Sequence, residues 1–176
     1  VVTNRGVILC NMGKDARQNE PEAIEDYCNQ NGLPILGKIT PPGTLEGGDV
    51  LWIDEKTVAV GEGYRTNSEG IRQFRELLGD GVDDVIPVPL PHWTGPNDCL
   101  HLLSNVSPVD HDLYAVYSPL ITVSFRNYLL KRGIKLIEVS EEEYSTLGCN
   151  ILAVAPRKVI MVAGNPQIRD SLEKES

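Results

Sequence analysis

Hairpin-forming sequence recurs along this chain at a spacing of about fifty residues, the kind of fixed period that marks architectures built from one repeated supersecondary unit. Within the 176 residues, pairs of short apolar strands are expected to begin near positions 1, 50, 100 and 151. Residues 1–3 and 7–10 flank the turn Asn4-Arg5-Gly6; Pro21 then opens an amphipathic helix through Ile24, Tyr27 and Cys28, Gly32 stops it, and a strand follows over 33–39. The second round has strands over 50–53 and 57–60, a helix carrying Ile71, Phe74, Leu77 and Leu78 behind a capping box of Thr66 with Glu69, and a strand over 85–90. The third has strands over 100–106 and 113–117, a helix opened by Ser118-Pro119 and ended by Gly133, and a strand over 134–139. A fourth hairpin spans 151–155 and 159–163, and Asn165-Pro166 starts a helix that reaches the end with no closing strand. The expectation is an α/β chain of ββαβ units around a common centre, near 1–40, 50–90, 100–140 and, incomplete, 150–176, forming one partial domain over 1–176. An ordinary α/β sandwich with accidental spacing is the alternative. In either arrangement the polar ends of the hairpins converge.

Charge narrows the partners. The formal charge is −9 and the basic residues are scattered singly among acids, so the chain offers no footprint for nucleic acid or an anionic membrane surface. A negative field suits a cationic small ligand, and equally serves solubility. Cys10, Cys28, Cys99 and Cys149 form no C-x-x-C pair, which fits reduced thiols in a cytoplasmic protein. No apolar run approaches the roughly 20 residues a spanning helix needs, and no signal peptide is evident. Cys99 and His101 could ligate a metal, but no second pair has the usual spacing, so a zinc site is not expected.

Three polar, glycine-rich stretches lie where the hairpins converge. In "TLEGGDV", Gly47 and Gly48 between Glu46 and Asp49 permit positive φ and close approach of a ligand, or make a turn whose acids bond local amides. In "GEGYRTN", Arg65 between a strand end and a helix start offers a planar fork for a carboxylate, or a surface salt bridge. In "DCLHLLS", His101 in an apolar strand is either a proton carrier or a satisfied core residue.

Together with the earlier "GKDARQNE", these motifs resemble, in order and approximate spacing over nearly the whole chain, the guanidino-modifying enzymes: dimethylarginine dimethylaminohydrolases, arginine deiminases and amidinotransferases. The resemblance is nearest to the dimethylargininase-like members. It implies a five-bladed α/β propeller of ββαβ units around a central active site, of which about four units are covered here. It also implies roles: His101 as the catalytic histidine, Glu46 as the acid that holds it, Arg17 and Arg65 as ligands of the substrate's carboxylate, and Asp49 as an organiser of its loop. The implied reaction is cysteine-dependent hydrolysis of arginine or an N-methylated arginine to citrulline plus amine or ammonia, with no metal or organic cofactor required. Leu103, where deiminases and transferases usually carry aspartate, leans the reading toward a dimethylargininase-like hydrolase. An amidinotransferase and a non-catalytic guanidine-binding module are the alternatives; oligomeric state, including a homo-oligomer, is open.

Cys149 in "EEEYSTLGCN" looks at first like a nucleophile. An apolar run follows it, no cation lies nearby in sequence, and Glu141 to Glu143 disfavour a thiolate. In the family its position belongs to a structural hairpin, and the nucleophile comes in a later unit. An acid in an "RDP"-like motif before the first strand has no counterpart either. The expectation is therefore a fragment of an enzyme, without its nucleophile, inactive as it stands, with open strand edges prone to association.

Overall fold

In the computed structural model, which describes residues 1–97 and 100–175, the chain falls into two units, Val1–Pro89 and Leu90–Ser176. The first holds two rounds of the expected repeat. Val2–Thr3 (β1) and Gly6–Leu9 (β2) pair antiparallel, Glu20–Gln30 (α1) makes the long connection that a parallel pair requires, and Ile35–Lys38 (β3) lies parallel to β2. The second round has the same order: Val50–Asp54 (β4) antiparallel to Thr57–Glu62 (β5), then Ser68–Leu78 (α2), then Asp84–Pro89 (β6) parallel to β5.

Burial follows position in the sheet. β5 has neighbours on both sides and is buried along nearly its whole length, so it reads as a continuous apolar run, whereas β6 buries only Val85 and Val88. Phe74, Ile71 and Leu78 of α2 pack with Val58, Val60 and Ile8 in one apolar core. In α1 only Cys28 is buried; Ile24 and Tyr27 are 51% and 59% exposed, against the amphipathic reading. The two-residue β1 and four-residue β3 offer too little sheet to cover more of that helix.

The start of α2 departs from expectation. Its cap is Asn67, whose Oδ1 accepts from Gly70 N at 2.8 Å and from Thr44 N at 3.0 Å. Asparagine caps as well as threonine does, and here it also fixes the loop before Glu46, which leaves Thr66 for other partners.

In the second unit, Leu102–Asn105 (α3) is a helical turn, so the strand expected over 100–106 is replaced and Val106–Asp110 (β7) begins later. The cause is local: the His101 N–H donates to Ser104 Oγ at 3.3 Å, a side-chain partner that favours a helix start over a ladder. β7 pairs antiparallel with Leu113–Val116 (β8), and Lys135–Glu138 (β9) lies parallel to β8. Ser118-Pro119 opens only a 3-10 turn over Ser118–Leu120; the helix Val123–Lys131 (α4) starts at Thr122, whose hydroxyl accepts from Phe125 N. After β9 come a short helix Glu141–Ser145 (α5), the hairpin Ile151–Ala155 (β10) with Lys158–Met161 (β11), and Pro166–Glu173 (α6). The architecture is thus α/β, with three ββαβ rounds and a ββα remainder. No helix among the described residues is long and apolar enough to cross a membrane.

Candidate functional site

The motifs of the first unit meet at one buried carboxylate. Glu46 is fully buried and follows Leu45, which bridges to Asn11 across the end of β2. Its Oε1 accepts from Gly13 N at 3.1 Å, Lys14 N at 3.3 Å and Arg65 Nε at 2.8 Å. Its Oε2 accepts from Arg17 Nη1 at 2.7 Å and Arg65 Nη2 at 2.8 Å. Arg65 thus forms a two-bond fork and is itself only 5% exposed. Two positive side chains and two amide dipoles offset the desolvation of one charge, the condition under which a carboxylate can be buried.

The backbone around this carboxylate is held as tightly. Glu46 N donates to Thr66 Oγ1 at 3.1 Å, and the Thr66 hydroxyl donates to Asp49 Oδ2 at 2.6 Å, with Asp49 fully buried. Residues Gly47–Asp49 form a 3-10 turn, and neither Gly47 nor Gly48 has positive φ, so the conformational freedom expected of that pair is not what the loop uses. The glycine that the site requires sterically is Gly13: a Cβ there would lie 2.4 Å from the Arg65 carbonyl oxygen. Without that close approach the Gly13 amide could not reach Glu46.

Arg17 ends the 3-10 turn Asp15–Arg17 and lies between two acids. Its Nη1 edge meets Glu46, and its Nε and Nη2 donate to Glu20 Oε1 and Oε2 at 2.7 and 2.6 Å. That hydrogen-bonded guanidinium holds the Glu20 carboxyl below the usual carboxylate range. Cys10, the residue after β2, has its thiol pushed up, chiefly by burial.

His101 lies in the second unit, buried, at the residue before α3. Its carbonyl accepts from Asn105 Nδ2 at 3.4 Å, and Asn105 Oδ1 accepts from the Tyr144 hydroxyl at 2.8 Å. Tyr144 stacks on Tyr117 with centroids 3.9 Å apart, and Trp93 meets Tyr144 edge-on. Burial, with the Glu141 and Glu142 carboxylates adding to it, raises the Tyr117 phenol.

Cys149 is 1% exposed, its Sγ faces Ala115 O, and burial pushes its thiol up to about 12, so it carries no thiolate at neutral pH. Glu143, which in sequence seemed only to add negative charge, accepts from Gln167 N and Ile168 N at 2.7 and 2.8 Å and caps α6. Cys99, the other half of the suggested metal pair, lies outside the described residues; among those described, no group of three or more His, Cys, Asp or Glu could hold a metal.

The site therefore brings together Arg17, Glu46, Asp49 and Arg65. Sequence reasoning missed the amides of Gly13 and Lys14, the Thr66 bridge and Glu20. Only Glu20 had a readable signal, an acid three residues after an arginine at the start of a helix.

A family model described as arginine deiminase matches residues 1–129. YkgA of Bacillus subtilis, itself uncharacterized, is 31% identical over 173 residues, covering 98% of this chain and 57% of its own length. The dimethylarginine dimethylaminohydrolase of Pseudomonas aeruginosa is 28% identical over 173 residues, covering 98% of this chain and 62% of its own. A solved structure of that Pseudomonas aeruginosa enzyme, a mutant complexed with citrulline, superposes on the whole chain with a TM-score of 0.81 at 27% identity and 63% of its own length. The chain thus spans about three fifths of the length of these relatives, and it shares with them the α/β propeller fold class that the motifs implied.

Proposed function

This chain belongs to the arginine deiminase family, and we propose that the protein it represents is a cytoplasmic, cysteine-dependent hydrolase of a small guanidino substrate, arginine or an N-methylated arginine. The observation that carries the reading is the buried Glu46 carboxylate caged by Arg17 and Arg65. A flat guanidinium cation is best held by carboxylate oxygens that accept paired N–H bonds, and a carboxylate is best held by arginine forks. Within the cluster, Arg17 keeps a side chain 35% exposed, on which a ligand carboxylate can be received.

In this reading a cysteine thiolate from a segment outside these 176 residues attacks the guanidinium carbon. The C–N bond to the amine breaks, and His101 supplies the proton with which the amine leaves. Water then adds to the amidino-thioether with His101 accepting its proton, and the thiolate departs, leaving the ureido product. Glu46 keeps the role the motif gives it, the acid partner of the catalytic histidine, with Asp49 fixing its loop; Arg17 and Arg65 take the substrate's carboxylate.

For the 176 residues by themselves, the buried and protonated Cys149 favours a second reading, guanidine binding without turnover. Citrulline release by the full-length protein tests the first: His101→Ala should abolish it, and undiminished activity in that variant would remove the role given to His101. Turnover that depends on an added amine acceptor would point to an amidinotransferase. Calorimetry of the present chain with L-arginine tests the second reading, and no heat of binding would end it.

A further inference from the structure

Arg17 is asked to recognise a carboxylate, yet an arginine on a 3-10 turn with a side chain 35% exposed has many rotamers to choose from. Its fork is not free to sample them. Glu20 Oε1 and Oε2 accept from Nε and Nη2 at 2.7 and 2.6 Å, a two-bond clamp on one long edge of the guanidinium. The remaining group, Nη1, is the one that reaches Glu46 Oε2 at 2.7 Å. Glu20 is the first residue of α1 and Arg17 the last of the preceding turn, so the pair forms across the joint between two rigid elements.

We propose that Glu20 is a positioning residue for Arg17: by occupying the Nε and Nη2 edge it holds the guanidinium plane so that Nη1 is turned to the Glu46 side of the site, where a ligand carboxylate is recognised. The proposal deepens the functional reading above and rests on it for the identity of the ligand. A clamp of this kind acts by prepaying rotamer entropy, so its loss weakens binding of the group Arg17 touches and leaves the rest of the ligand's contacts alone.

A purely structural role for Glu20 would have other consequences. An acid in the first turn also stabilises α1 through the helix dipole, and Glu22 in the same turn does so without touching Arg17. Glu22→Gln is therefore the control for Glu20→Gln. The first measurement is the Arg17 Nε–H signal in the proton–nitrogen spectrum of the present chain. Glu20→Gln should shift it and speed its exchange with water, while Glu22→Gln should leave it in place. An unchanged Arg17 signal in Glu20→Gln overturns the clamp whatever the chain binds.

The second measurement is calorimetry with L-arginine and with agmatine, which carries the guanidinium but no carboxylate. Glu20→Gln should weaken L-arginine by about fivefold, the scale of a partly exposed ion pair, and leave agmatine unchanged. Equal weakening of both ligands, or of neither, overturns the positioning role. If the unsubstituted chain binds neither ligand, the functional reading fails instead, and the Arg17 signal still decides whether Glu20 holds that side chain.

Discussion

Replacing Arg65 with methionine removes two N–H groups that the Glu46 carboxylate accepts and a cation more deeply buried than Arg17. Gly13 N, Lys14 N and the partly exposed Arg17 stay in place. Taking one partner from a buried ion pair costs about 3–5 kcal/mol, because the remaining charge keeps its desolvation penalty and loses its compensation. A unit of this size has a total stability of about 5–10 kcal/mol, so Arg65→Met should come close to unfolding Val1–Pro89 in mild urea. Adding Glu46→Gln removes the orphaned charge and should recover roughly 1–3 kcal/mol, so the double variant outlasts the single one. The reporter is Trp52, which packs on the core of this unit, followed by fluorescence in a Trp93→Phe background so that the chain's other tryptophan stays silent. A loss below about 1 kcal/mol in Arg65→Met, the level of an exposed pair, or a double variant no more stable than the single, would refute the buried-cage account.

The Cys149 thiol sits near 12 in the folded chain against 9.0 for an ordinary one, so below pH 9 both states are protonated and its effect on stability is constant. From pH 9 upward the unfolded chain releases the proton that the native state retains, and stability should fall by up to about 1.4 kcal/mol per pH unit until pH 12; Cys149→Ala should flatten that slope in alkaline urea titrations. Glu143→Gln leaves the amides of Gln167 and Ile168 with a weaker acceptor and should cost about 1 kcal/mol, read as a lower unfolding midpoint of the second unit, whereas Glu142→Gln on the exposed side should cost almost nothing.

The repeat was readable because each ββαβ round writes the same strand and helix periods, and β4, β5 and β10 begin where alternation begins. What stayed hidden depends on partners remote in sequence. Thr66 looked like a helix cap because Glu69 stands three residues on; its hydroxyl instead bridges Glu46 N and Asp49, twenty and seventeen residues away. His101 read as a strand residue because leucines surround it, and the helical turn that displaces the strand comes from a hydroxyl at Ser104. The site was legible in its residue types, carboxylates and arginines in glycine-rich loops. Its wiring was not: motif order cannot tell that both arginine forks are satisfied by the chain's own acids, Glu46 and Glu20. Nor could period alone show that the apolar side of α1 faces solvent at Ile24 and Tyr27.

The Glu46 cage has partners from both rounds of the first unit: the donors Gly13, Lys14 and Arg17 follow β2, while the donor Arg65 and Thr66, which accepts from Glu46 N, follow β5. Neither round can close around that acid without the other. Tandem units that meet only through apolar surface can melt one at a time, in the manner of a zipper. Here the two rounds share an ionic joint whose parts are worthless separately, so they gain and lose structure together. The amides of Gly13 and Lys14, in a loop that would ordinarily trade protons with water within moments, are thereby tied to the slowest opening of the whole unit.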